Sequence, residues 1–155
     1  MFTPARIFRV TAIAEAVTWA LLIAGMLQKY VLDAGDWGVS IAGGVHGFVF
    51  LAYLAVGLVV SINQRLSAGT TLLILVSAII PFATIPVEVR LVGSGRLDGQ
   101  WRTEATADPR DSRPLDRLVR WWIARPKAFA AVLVVLIVAV FAILLIVGPP
   151  GGRNG

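Results

Sequence analysis

Ser77-Ala78-Ile79-Ile80-Pro81-Phe82-Ala83-Thr84-Ile85-Pro86-Val87-Glu88 sets two prolines and a carboxylate inside a long apolar run. An interior proline removes a backbone donor and crowds the carbonyl four residues back. A carboxylate at the centre of a membrane helix costs about 2.5 to 3.5 kcal/mol on insertion scales. The run is therefore expected to kink, with the carbonyls of Ser77 and Phe82 freed by Pro81 and Pro86, and to turn this costly face away from lipid.

The chain around it favours a bilayer. Of 155 residues, 57% are hydrophobic and the mean hydropathy is +0.81, well above the range of about 45 to 50% apolar residues in soluble domains. Twelve arginines and two lysines give a net charge of +5. They flank apolar runs and form no separate basic domain, so anionic lipid headgroups, not nucleic acid, are the expected partners. The absence of cysteine excludes disulfides, thiolate metal sites and iron–sulfur clusters, and one histidine cannot supply both axial ligands of a haem. No cofactor is expected.

Runs of about 20 apolar residues predict four membrane helices, over 7–27, 39–62, 68–91 and 128–147. The fold class is thus all-α integral membrane. The domains are a three-helix core at 1–92, a basic loop at 93–127, a fourth helix at 128–147 and a flexible tail at 148–155. Glu15 and the length of the first run argue against a cleaved signal peptide. Gly93, Gly95, Gly99, Pro109 and Pro114 punctuate the basic loop, whose middle is expected to be mobile. Its end reads as an amphipathic helix at the membrane surface. There Leu115, Leu118, Val119, Trp122 and Ile123 share one face, and Arg117, Arg120, Trp121, Trp122 and Arg125 are placed to meet headgroups or a partner. The arginines of the loop put it in the cytoplasm by the positive-inside rule, although Arg6, Arg9 and Arg65 then fall on the opposite side.

Each of the first three helices carries its unusual residues on one face, and three matching stripes predict an inward-facing polar core. Thr11, Glu15 and Thr18 align on the first, and His46, Phe50, Tyr53 and Gly57 on the second. Thr70, Ser77, Pro81, Thr84 and Glu88 align on the third. The core is assigned to Glu15, Thr18, His46, Tyr53, Pro81, Thr84 and Glu88. With a third helix that crosses fully, His46 and Glu88 come to similar depth and are expected to pair. Glu15 is expected to bond Thr18, Tyr53, Thr84 or water. Gly43 and Gly47 form a small-xxx-small pair suited to close helix approach. No HExxH, GxSxG or phosphate-loop signature is present, and no metal site or catalytic residue is expected.

Phe8, Arg9 and Glu15, then Lys29 and Tyr30, Val45-His46-Gly47, Pro81-Phe82-Ala83-Thr84, Glu88 and Arg90 together resemble the YdzA-like bacterial integral membrane proteins over residues 5–91. Ala83 departs from the glycine expected there. The resemblance implies three membrane helices, a bacterial inner-membrane location and no known reaction, with the loop and fourth helix as an extension. The expected role is a non-enzymatic accessory or stabilising subunit of a larger assembly, respiratory or transport in kind, contacting lipids and other membrane subunits. The alternative is a small oligomeric transporter or proton conductor using Glu15, His46 and Glu88.

Overall fold

The computed structural model describes residues 3–147, and among them every regular element is helical. The tail expected at 148–155 lies outside the described residues. In chain order the elements are α1 (Pro4–Tyr30), α2 (Trp37–Asn63), α3 (Ala68–Ser77), α4 (Thr84–Gly93), a 3₁₀ turn (Pro109–Ser112), α5 (Pro114–Ile123) and α6 (Pro126–Val147).

Helices α1 and α2 each have 27 residues and are apolar enough to cross a membrane. At 1.5 Å per residue each is about 40 Å long, more than the hydrocarbon thickness of about 30 Å. Thr3 opens α1 by accepting the Arg6 amide at 3.2 Å, and Pro4 occupies the first turn, where its missing N–H costs nothing. The two helices pack antiparallel across a six-residue connection. Gly25 is needed at that crossing, because a Cβ there would stand 2.7 Å from the Val39 nitrogen.

The third expected span does not exist as one helix. The chain breaks at 78–83, with Phe82 left-handed at φ 64°, and doubles back. On the inward leg, Ser77 reaches Tyr53 at 3.0 Å. On the return, Thr84 lies against the Ala12 carbonyl at 3.0 Å and Glu88 against Arg9 at 2.7 Å, so α4 runs antiparallel to α1. Just beyond α4, Arg96 reaches Thr70 in the first turn of α3 at 3.0 Å. One uninterrupted helix over 68–91 would separate those ends by more than about 30 Å. A kink was expected; proline and a left-handed residue together make a helical hairpin. Its core joins Phe8, Ala12, Tyr53, Val56, Val60, Ile74, Val87 and Leu91.

Reversal brings residues 93–113 to the end where α1 begins and α2 finishes. Their middle is built, not loose. Leu97 is buried in the core, and the Asn63 side chain pairs with the Arg102 backbone, each bond 3.1 Å. Arg102 also bonds the carbonyls of Ile62 and Asn63, capping the last turn of α2 where the helix dipole favours a cation. Buried Asp111 ties the segment together. It receives Arg65 at 2.7 Å, Arg120 at 3.0 Å, and the Thr106 amide and hydroxyl at 2.7 and 2.6 Å. Helix α5 then meets α6 at a bend of 106°. Against α2, Phe141 of α6 lies over Gly47, where a Cβ would come within 3.2 Å of its ring; Gly43 instead faces Leu22 of α1. The two glycines therefore serve different neighbours.

The Thr106 hydroxyl and amide, reinforced by Arg65, hold the Asp111 carboxyl well below the usual carboxylate range. A folded-state pKa below the unfolded value contributes stability above the unfolded pKa and loses it as pH falls through the folded one. Hydrogen exchange of amides 100–112 should therefore be flat from about pH 8 to pH 5 once corrected for intrinsic rate, and protection should decline only below about pH 4. At neutral pH, Asp111→Asn should speed that exchange about tenfold or more. Unchanged protection in the variant would show that the carboxylate does not hold the segment.

Candidate functional site

The buried polar side chains gather where the hairpin packs against α1 and α2. Glu15, Tyr53 and Thr84 are inaccessible, and Thr18, His46, Ser77 and Glu88 are nearly so. Pro81 is the exception among the residues assigned to this core. It sits exposed in the turn, because the reversal carries it past the inward face.

Thr84, Thr18, Tyr53, Ser77 and Trp19 organise the cluster. Thr84 lies 3.0 Å from the Ala12 carbonyl and 3.4 Å from Glu15 Oε2. Its single proton serves one acceptor at a time, so the Thr84 hydroxyl donates either to the Ala12 carbonyl or to Glu15. Thr18 Oγ1 is 2.9 Å from the Glu15 carbonyl and 3.1 Å from His46 Nδ1. The same count applies: if Thr18 donates to the carbonyl, the imidazole bears its proton on Nδ1. Tyr53 meets Ser77 at 3.0 Å, and Ser77 donates back to the Ile74 carbonyl at 2.7 Å. Trp19 donates its indole N–H to the Ala78 carbonyl at 3.1 Å, at the start of the break, and its ring lies 4.5 Å from that of His46.

The expected His46–Glu88 pair is not formed. The hairpin returns Glu88 to the end where α1 starts, and its partner is Arg9, half exposed, at 2.7 Å. His46 stays deeper, with Thr18, Trp19 and Phe50. Glu15 does meet Thr84, while its Oε1 is buried without a hydrogen-bond partner among the described residues. No group of three or more His, Cys, Asp or Glu side chains converges among the described residues.

The residues placed at the membrane surface divide. Arg120 is turned inward onto Asp111. Arg117 is exposed. Arg125 lies over the Trp121 ring at 4.4 Å, and Trp121 meets Trp122 edge to face at 4.9 Å. Composition did not single out Trp19, Asn63 or Asp111. A usable signal existed for Trp19, one helical turn after Glu15 on the same face. Asn63 and Asp111 gain their partners only through the reversal.

Removing Arg9 should leave Glu88 buried and unpaired. Arg9→Ala is expected to lower stability by about 1 to 2 kcal/mol, below the cost for a fully buried pair because Arg9 is half exposed. Adding Glu88→Gln should recover part of the loss. Thermal unfolding in one detergent or lipid disc reads both, and a double variant no more stable than Arg9→Ala would refute the pairing.

A protein of Streptomyces coelicolor named "Putative membrane protein SCO5905" is 40% identical over 105 residues, which make up 67% of this chain and 12% of that protein. This chain thus corresponds to a small part of that relative's length. No solved structure matches. The chain is a helical membrane protein with at least two helices able to span. Residues 5–92, α1 through α4, match a family model described as Domain of unknown function (DUF3817), an interval close to that of the motif resemblance but without the narrower YdzA-like name. Over that helical core, the chain belongs to the DUF3817 family.

Proposed function

We propose that this is a multi-pass protein of the bacterial plasma membrane that serves as a non-enzymatic accessory or stabilising subunit of a larger membrane assembly. The observation that carries the reading is the relative in which a segment like this one forms 12% of a much longer membrane protein. Such a core acts as a module attached to other machinery. Apolar side chains on the outside of α1, such as Val10, Ile13, Val17 and Leu21, supply a face for lipid or for another subunit.

In this reading α1, α2 and α6 cross the bilayer, the α3–α4 hairpin enters and leaves on one side, and α5 lies at the interface. Arg6, Arg9, Arg65, Arg96, Arg102, Arg113 and Arg120 all belong to one end, and the positive-inside rule makes it cytoplasmic. This removes the conflict that four complete spans create. The chain has no cysteine, so single cysteines introduced at Ser94 and at Ser67 should be modified by an impermeant thiol reagent from the same side, and one at Ala34 from the other. Modification of positions 94 and 67 from opposite sides would restore a full third span.

A second reading is favoured by one atom, the unpartnered Oε1 of Glu15, beside which a proton relay through Glu15 and His46 could form, with Glu88 at the cytoplasmic end. Purification in native lipid discs separates the two. A stoichiometric second membrane polypeptide is expected. A solitary protein that conducts protons in liposomes, with conduction lost in Glu15→Gln, would replace the accessory reading with the relay.

A further inference from the structure

Beside the arginine-rich corner, an open groove of about 470 Å³ lies between the end of α2, the first turn of α3 and the start of α5. Its size falls in the range of about 300 to 1,000 Å³ usual for small-molecule sites. Ser61 lines it; the residue is 3% exposed and its hydroxyl has no partner among the described residues. Arg65 lines it too. Its two terminal nitrogens are taken by Asp108 and Asp111, while Nε is buried and unpartnered. Arg113 borders the opening, exposed, with no side-chain partner among the described residues.

The start of α5 adds donors. Arg113 is its N-cap and provides no side-chain cap, Pro114 has no N–H, and the amides of Leu115 and Asp116 reach no acceptor among the described residues. Uncapped first-turn amides favour an anion, and a phosphate oxygen supplies what the cap lacks. Three arginines (65, 110 and 113) and one aspartate (116) line the groove; Arg65 and Arg110 are paired with Asp108 and Asp111, and Arg113 is left to meet an anion. Ile62, Leu66 and Leu115 make much of the wall apolar, and Leu115 is 62% exposed. A free ion would leave that wall in contact with water; a headgroup with its glycerol and upper acyl chain would cover it.

We propose that this groove binds the phosphate of an anionic phospholipid, with Arg113 and the α5 amides on the phosphate oxygens and Ser61 turned to meet them. The inference goes beyond the accessory reading and stands whether or not a partner subunit is found. It also moves headgroup recognition away from Arg120, which Asp111 holds, to a place built for one lipid.

Native mass spectrometry of the full chain, released from detergent with phosphatidylglycerol as probe, tests it. The protein should retain phosphatidylglycerol in preference to phosphatidylcholine. Arg113→Ala should weaken retention about tenfold and Ser61→Ala about threefold, the scale of a lost charge-assisted and a lost neutral contact. Arg117→Ala, exposed and outside the groove, should change little. Equal retention of phosphatidylcholine, or equal losses in Arg113→Ala and Arg117→Ala, would overturn the site in favour of diffuse surface charge. Displacement of the lipid by inorganic phosphate would overturn the lipid assignment and leave a free-phosphate site. The Arg113 side chain is exposed, and the bonds its residue makes to Arg110 and Arg117 are backbone bonds that alanine keeps, so its variant is a fair probe.

Discussion

A chain that reverses among apolar surroundings must find partners for the backbone groups its break sets free, and the hairpin between α3 and α4 depends on that requirement. Water is scarce at such a place and lipid offers no hydrogen bonds. Helix α1 supplies one of them, and side-chain bonds to α1 and α2 hold the two legs. Trp19 donates to the carbonyl of Ala78 as α3 ends, and Thr84, opening α4, reaches the carbonyl of Ala12. Both partners come from α1, which therefore stitches the two sides of the break. Tyr53 of α2 holds Ser77 on the inward leg. Glu15 meets the returning leg through Thr84, and Thr18 and His46 bond to each other beside it. Their polarity suits a backbone that a regular helix would never have exposed.

From the reversal follows the lopsided charge of the molecule. Returning α4 to its starting end puts the basic segment over the C-terminus of α2, where arginine side chains complement the carbonyls left by the last turn. Arg102 does this directly, and Asn63 fixes the segment's register through paired bonds to the backbone of Arg102. So many guanidinium groups at one corner repel one another unless anions separate them. Asp111 and Asp108 take that role, with Arg65, Arg110 and Arg120 as their partners. The helix-end cation and the aspartate hub are parts of one arrangement.

The long helices were plain in the sequence because length and hydropathy alone set them, and the inward stripe on α1 and α2 followed from periodicity. At the site, Glu15, Thr18, His46, Tyr53, Thr84 and Glu88 are buried together, but their pairings depended on a direction that periodicity does not carry. Two antiparallel helical legs and one straight helix present the same stripe of Thr70, Ser77, Thr84 and Glu88. Only the geometry of residues 78–83 tells them apart, and a left-handed phenylalanine is not a conformation that composition announces. Reading the stretch as a kink kept Glu88 on the wrong side, so it was matched with His46 and not with Arg9. The glycines and prolines of the basic segment read as a mobile loop, and composition does not show that the reversal sets it against the end of α2. Arginine placement held the corrective signal: Arg6, Arg9 and Arg65 disagreed with the loop for as long as the third helix was assumed to cross.

The two carboxylates of the hairpin region show how position, more than residue type, sets their chemistry. Glu88, near the charged end, meets a cation that itself reaches water, so Arg9 pairs with it without a second charge being fully desolvated. Glu15 lies about two turns deeper along α1 and has no arginine within its contacts. Its hydrogen-bond neighbour there is the Thr84 hydroxyl, a neutral group. The pair thus divides the hairpin into an outer electrostatic clamp and an inner hydrogen-bonded seat. The clamp can respond to salt and surface charge, while the seat is insulated from both. A module that must hold a re-entrant turn while presenting an arginine-rich face to its surroundings gains from that separation, because changes at the face need not loosen the turn.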